Sequence, residues 1–219
     1  MNPHSRARLG RRALPRFPGN TLFERIARTV CAAECLPRKE LYEAWEVARR
    51  VRRRFHGGRV VDLACGHGLA AAVMLLLDDT SSEAVAVDTR LPKSARRLQV
   101  ALTAEWPRLA DRLQLVEGRL EDFALEPGDV VVSVHACGAK TDAVLEAAAA
   151  ARARVAVLPC CQSLSRSDHG GLDGWLDGAL AIDVTRASNL RAHGYRVWTQ
   201  RIPEAITPKN RLLLGDPTR

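Results

Sequence analysis

Short apolar runs alternate with helix-length segments along this chain, and no other feature constrains its fold as much. Runs rich in Val, Ala and Leu fall at 59–63, 84–88, 112–116, 129–134 and 153–158, each short enough for a strand. Between and after them, 68–77, 92–105, 141–152 and 172–193 have the length and composition of helices. Strands that alternate with helices imply a parallel sheet covered on both faces, because each parallel pair needs a crossover. The closing segments YRVWTQRI (195–202) and RLLLG (211–215) are joined by PEAITPKN with no helix between them, so they are expected to lie antiparallel.

Ahead of the alternation, residues 1–20 are rich in Pro, Gly and Arg and read as a flexible basic tail. Residues 21–57 read as a helical extension and 58–219 as the main domain. The stretch 21–34 opens with a Thr-x-x-Glu capping signature, and Pro37 separates it from a second helix that ends in Arg49, Arg50, Arg52, Arg53 and Arg54. Residues 1–59 hold fifteen Lys/Arg against five Asp/Glu, a net +10, whereas the whole chain is +8. The basic character therefore belongs to the N-terminal segment. A basic arm before a near-neutral domain suits a polyanion such as RNA. The competing reading is a solvated surface in a composition where arginine outnumbers lysine 29 to 4.

No membrane partner is expected, since the longest apolar run, LAAAVMLLL (69–77), is too short to span a bilayer. Five arginines and no acid in the first sixteen residues have the flavour of a transit peptide, but Pro3, Gly10 and Pro15 interrupt any amphipathic helix. The six cysteines sit mainly at strand ends rather than in a loop-rich scaffold, so a reduced cytoplasmic protein is expected. Cys31 and Cys35 share a helical face and read as core packing. Nothing in the sequence sets the oligomeric state.

The first strand-to-helix turn narrows the function. VVDLACGHGLAAAVMLLL (60–77) is a strand, a small-residue turn and a helix, and in an open α/β sheet such a turn lets a ligand approach the backbone. The spacing is not the G-x-G-x-x-G of dinucleotide binders, which disfavours a nicotinamide oxidoreductase. Asp62-Leu-Ala64-Cys65-Gly66-His-Gly68 resembles instead the acid-x-Gly-x-Gly-x-Gly motif of class I S-adenosylmethionine-dependent methyltransferases, with Ala64 in the first glycine place. That resemblance implies a Rossmann-like seven-stranded sheet, mostly parallel with an antiparallel C-terminal strand, and S-adenosylmethionine as cofactor. It implies that Asp62 meets the methionyl ammonium and that the acid pair Glu121-Asp122, in VEGRLEDF (116–123), lies near the adenine amino group. Asp88 ends the second strand 26 residues after Asp62, where a carboxylate can accept both ribose hydroxyls.

Two further strand ends carry reactive side chains: VVSVHACGAKTD (131–142) and VAVLPCCQS (155–163). His-x-Cys-Gly-x-x-Thr-Asp followed by Cys-Cys resembles a narrower methyltransferase-domain family that includes tRNA 2′-O-methyltransferases, although the zinc-binding segments of those tRNA enzymes have no counterpart here. By that resemblance the segment ITPKNRLLLG (206–215), with Lys209, Asn210 and Arg211, closes the pocket. Three chemical readings of the tips stand side by side. His135 can shape the acceptor pocket and act as a general base near neutrality, with Cys137, Cys160 and Cys161 as packing residues. A cysteine can attack a cytosine ring as an activated nucleophile. Or His135 and the three cysteines can bind a soft metal, which adjacent cysteines do awkwardly; no metal is the expectation. His67 is expected only to orient the turn. The function these features favour is methyl transfer to RNA (tRNA or rRNA). A small-molecule or protein acceptor, or a catalytically silent cofactor-binding module, are the alternatives.

Overall fold

The computed structural model describes residues 2–218. Five of the apolar runs form parallel strands: β1 (Val60–Leu63), β2 (Ala84–Asp88), β3 (Leu113–Glu117), β4 (Val130–Ser133) and β5 (Arg154–Val157). Register is set by the buried branched residues, with Val61 opposite both Val85 and Val131, and Val131 opposite Val155. β6 (Tyr195–Arg201) and β7 (Arg211–Pro217) make an antiparallel hairpin, and β7 inserts against β5. The seven strands run in the order β3-β2-β1-β4-β5-β7-β6, the mostly parallel Rossmann-like sheet that the sequence led us to expect.

Side-chain alternation along the strands divides the core in two. Val60, Ala84, Ala86, Val130 and Val132 face one side, against α3 (Leu69–Leu77), α2 (Arg38–Arg52), α1 (Leu22–Ala33) and α4 (Lys93–Glu105). Val61, Val85, Val87, Val131 and Val155 face the other, against α5 (Ala139–Ala151) and α6 (Gly178–Ala192). α6 starts later than expected, because the chain first makes a 3-10 turn at Leu172–Gly174 and Asp177 then caps the helix at the Leu180 N–H. Strand order reverses between β1 and β4, which leaves a crevice beyond their carboxyl ends. The Ser133 hydroxyl donates to the Leu63 carbonyl across that reversal at 2.6 Å, holding the two strand tips together.

The N-terminal segment departs from expectation. It is laid against the body rather than free: Leu9 and Phe17 are buried, a 3-10 helix spans Arg11–Arg16, and the Leu9 N–H donates to the Leu36 carbonyl at 2.8 Å. The physical reason is that Leu9 and Phe17 are apolar anchors among the arginines, and one continuous core takes them in with α1, α2 and the sheet. α1 carries the capping box read from the sequence, Thr21 with Glu24. The arginine cluster at the end of α2 is mostly consumed by packing. Arg52 is buried and donates to the Met74 and Phe55 carbonyls and Ser81, with Asp78 as counter-ion at 3.2 Å. Arg49 and Arg50 pair with Glu46, and only Arg53 and Arg54 face outward. Among the described residues, no helix is long and apolar enough to cross a membrane.

Candidate functional site

The turn after β1 needs its small residues for two different reasons. A Cβ on Gly68 would meet Leu115 at 2.8 Å and Ala86 at 3.1 Å, so helix α3 packs this close to the sheet only with glycine there. At Gly66, φ is +57° and a Cβ would meet nothing within 4 Å, so its backbone lies bare toward the crevice. Ala64 also has φ +57°, a left-handed conformation that glycine adopts without strain. The Gly66 N–H donates to one Asp88 carboxylate oxygen at 2.9 Å, and the Arg90 N–H and Thr89 hydroxyl reach the other. Asp88 thereby ties the β1 and β2 turns together.

Two adjoining cavities flank this turn. One encloses about 290 Å³ of unfilled space among Leu36, Glu40, Asp62, Cys65, His67 and His135, with Ala44, Leu69, Ala70 and Val134 behind them. The other, of about 190 Å³, lies among Ala64, Asp88, Gly118, Leu120 and Lys140. A larger groove, about 1160 Å³, runs between α6 and the β6–β7 hairpin, but its lining is mainly apolar and its carboxylate, Asp183, is taken by Arg186 and Arg211. Chemistry belongs to the strand tips instead.

Electrostatics distinguish the side chains of the first cavity. Asp62 is buried with one hydrogen bond, from the Ala71 N–H at 3.3 Å; burial pushes its pKa up to about 7 and the Asp88 charge adds to the rise. A buried carboxylate with so few donors suits an incoming cation. Burial also raises Glu40, with neighbouring Glu43 adding repulsion. His135 is half-buried, and burial, reinforced by Lys39 and His67, lowers its pKa to about 4. It is therefore neutral at physiological pH, but a weaker base than the sequence suggested. His67 does more than orient the turn: it lines the cavity and bonds Ser94 at 2.9 Å. Burial keeps Cys65 a protonated thiol.

The structure brings Asp62, Cys65 and His135 to one cavity and Ala64 and Asp88 to the other, with Gly66 and Gly68 shaping the turn between. Glu121 and Asp122 are not brought in. Both are exposed on the outer side of a 3-10 turn, Glu121 beside Arg119, while Leu120 and Gly118 take the cavity wall. Cys137, Cys160 and Cys161 lie side by side at the β4 and β5 tips but line neither cavity. Of the closing segment, Asn210 zips the hairpin to Ile202 and Arg211 pairs with Asp183. Glu40 and its neighbours on α2 were missed from the sequence. Their signal was Glu40 and Ala44 one helical turn apart, beside the Leu41-Trp45-Ala48 face.

Bare glycine backbone at Gly66 and Gly118, the Asp88 carboxylate at the end of β2 and the buried Asp62 are groups of the kind that S-adenosylmethionine needs. The sheet order is that of class I S-adenosylmethionine-dependent methyltransferases. The chain belongs to the methyltransferase-domain family, whose model matches residues 39–167.

Solved structures share the fold. An O-methyltransferase family protein from Burkholderia thailandensis superposes with a TM-score of 0.55 at 20% identity, over 94% of this chain and 63% of its own. The chain thus spans less than two thirds of that protein. A SAM-dependent O-methyltransferase from Thermotoga maritima gives 0.55 at 13% identity, over 91% and 72%. A candidate rRNA methylase from Clostridium thermocellum gives 0.53 at 14%, over 78% and 93%. No curated protein matches the sequence.

Proposed function

We propose that this methyltransferase acts on RNA, with His135 at the methyl acceptor and the N-terminal arginines as a phosphate-binding surface. The observation that carries the reading is the placement of that segment. Arg6, Arg8, Arg11, Arg12 and Arg16 are all exposed, and the Leu9–Leu36 hydrogen bond holds their strand of chain against the wall of the Asp62 cavity. The fields of Arg8 and Arg97 reach His67 in that cavity. A polyanion drawn to this band would be delivered beside the acceptor site.

The bound cofactor supplies an electrophilic methyl group. Asp62 would hold its ammonium, Asp88 its ribose, and the walls around Leu36 and Leu120 would exclude water. His135, neutral and without a ring hydrogen bond among the described residues, would accept the hydrogen of the attacking hydroxyl or amine and so aim its lone pair. Most of the rate gain would come from this alignment. The similarity to the tRNA 2′-O-methyltransferase group supports a ribose hydroxyl as the acceptor within RNA.

One observation favours a second reading, a small cationic acceptor: Glu40 lines the cavity with Asp62, and an amine bound there would hold both carboxylates in their charged form. Incubation with S-adenosylmethionine carrying a radiolabelled methyl group, followed by separation of RNA, protein and metabolite pools, tests both. Label in RNA that survives protease and is released by nuclease is the expected result. Label confined to metabolites would replace the first reading with the second.

A further inference from the structure

The three cysteines at the tips of β4 and β5 are unexplained by the cofactor site, and they form the densest group of metal-ligating side chains among the described residues. Cys137, Cys160 and Cys161 place their sulfurs all within 4.8 Å of one another. Cys160 and Cys161 are 3.8 Å apart, and Cys137 and Cys160 are 2.6 Å apart. None is in a disulfide.

We propose that Cys137, Cys160 and Cys161 form a three-thiolate site for a zinc ion. Tetrahedral zinc with bonds of about 2.3 Å sets neighbouring sulfurs roughly 3.8 Å apart, which is the separation of Cys160 and Cys161. Adjacency in sequence is therefore no obstacle: the chain turns there so that two successive thiols form one edge of the tetrahedron. The third sulfur comes from the neighbouring strand tip and needs to withdraw from Cys160 by about 1.2 Å to complete the face.

The surroundings are built to hold the two tips in place. The Gly138 N–H donates to the Cys161 carbonyl at 3.2 Å, linking one loop to the other. Buried Arg186 donates to the Gly138 carbonyl and grips Asp142 through two hydrogen bonds at 2.6 and 3.0 Å. Thr141, fully buried, donates to the Ala136 carbonyl at 2.8 Å. Such outer contacts orient ligands and are costly to lose. Lys140 is near enough to act on Cys137 and would offset the net negative charge of three thiolates on a divalent ion. Binding displaces the thiol protons to solvent as the three Zn–S bonds form. Cys137 and Cys161 are exposed, so the fourth position opens to solvent at the carboxyl end of the sheet, where His135 follows β4. Water or an acceptor atom would occupy it.

The test uses the full-length protein, reduced and stripped of metal, titrated with Zn²⁺ and separately with Co²⁺. One zinc per chain by elemental analysis is expected, with a Co²⁺ spectrum showing thiolate charge transfer and the intense visible bands of a tetrahedral ion. Each of Cys137→Ser, Cys160→Ser and Cys161→Ser should weaken binding at least tenfold, and the triple variant should bind none. Cys31→Ser should bind normally. Circular dichroism and S-adenosylmethionine binding report whether each variant is folded; if one is not, protection of the three wild-type thiols from alkylation by added Zn²⁺ replaces it. Substoichiometric zinc in the folded reduced protein, binding that survives in the triple variant, or a Cys137–Cys160 disulfide that resists reductant would each overturn the site.

Discussion

Asp62 is the residue whose chemistry is most exposed to test. Its pKa is raised to about 7 in the free protein, so below that pH a proton competes with the cofactor's ammonium. S-adenosylmethionine affinity should fall about tenfold per pH unit below 7, and Asp62→Asn should bind weakly with that slope gone; calorimetry at several pH values measures both. The sign for stability is the reverse. A raised carboxylate pKa favours the fold at acid pH and withdraws that contribution as pH climbs from the ordinary carboxylate range through 7. Asp88→Ala should cost about tenfold or more in cofactor affinity, because a charged acceptor of two ribose hydroxyls is lost along with the tie to the Gly66 N–H. Unchanged affinity would mean that the ribose sits elsewhere. His135→Ala should lower turnover by about 10²-fold with far less effect on cofactor binding. Because the ring is already neutral above about pH 4, wild type and variant should share any pH-rate limb between 5.5 and 8.

Secondary-structure elements were legible wherever local pattern decides them. The valine runs could be nothing but buried strands, and the Thr21–Glu24 capping box marks the start of α1 without reference to the rest of the molecule. The N-terminal segment was misread because its two anchors, Leu9 and Phe17, are isolated among arginines and prolines and have no period to betray them. Their partners lie in α1 and at Leu36–Pro37, and only the fold supplies these. Leu9→Ala should cost about 2–5 kcal/mol as a buried large-to-small change. It should also weaken cofactor binding, since Leu36, which it braces, lines the Asp62 cavity. Denaturant unfolding and calorimetry on the same samples check the pair. Full stability in that variant would make residues 2–10 a loose appendage after all.

At the scale of the whole molecule, the net charge of +8 is distributed unevenly in space as well as in sequence. Much of the apparent basic cluster at the end of α2 is neutralised, with Arg52 held against Asp78 and Arg49 and Arg50 against Glu46. The five arginines before residue 17 keep their exposure. Replacing all five by Gln keeps Leu9 and Phe17 in place, which truncation would not. RNA affinity should drop, and the slope of log affinity against log salt should flatten by up to ~0.7 for each lost phosphate contact on a single strand. Cofactor affinity should hold. Identical slopes for variant and wild type would assign these arginines to solvent.

Periodicity and spacing determined the strands, the helices and the turn from Asp62 to Gly68, because each depends on neighbours within a few residues along the chain. They also located His135 and the cysteines at strand ends. Tertiary structure decided what those ends face. It turned Glu121 and Asp122 outward and gave their wall to Leu120, since one 3-10 turn rotates a side chain through a third of a circle per residue. It set Glu40 opposite His135 across a gap of 95 residues, and it lowered that imidazole's pKa by burial that no local pattern encodes. It also gathered three thiols, up to 24 residues apart in sequence (Cys137 to Cys161), into one cluster, because β4 and β5 are adjacent parallel strands whose tips must meet.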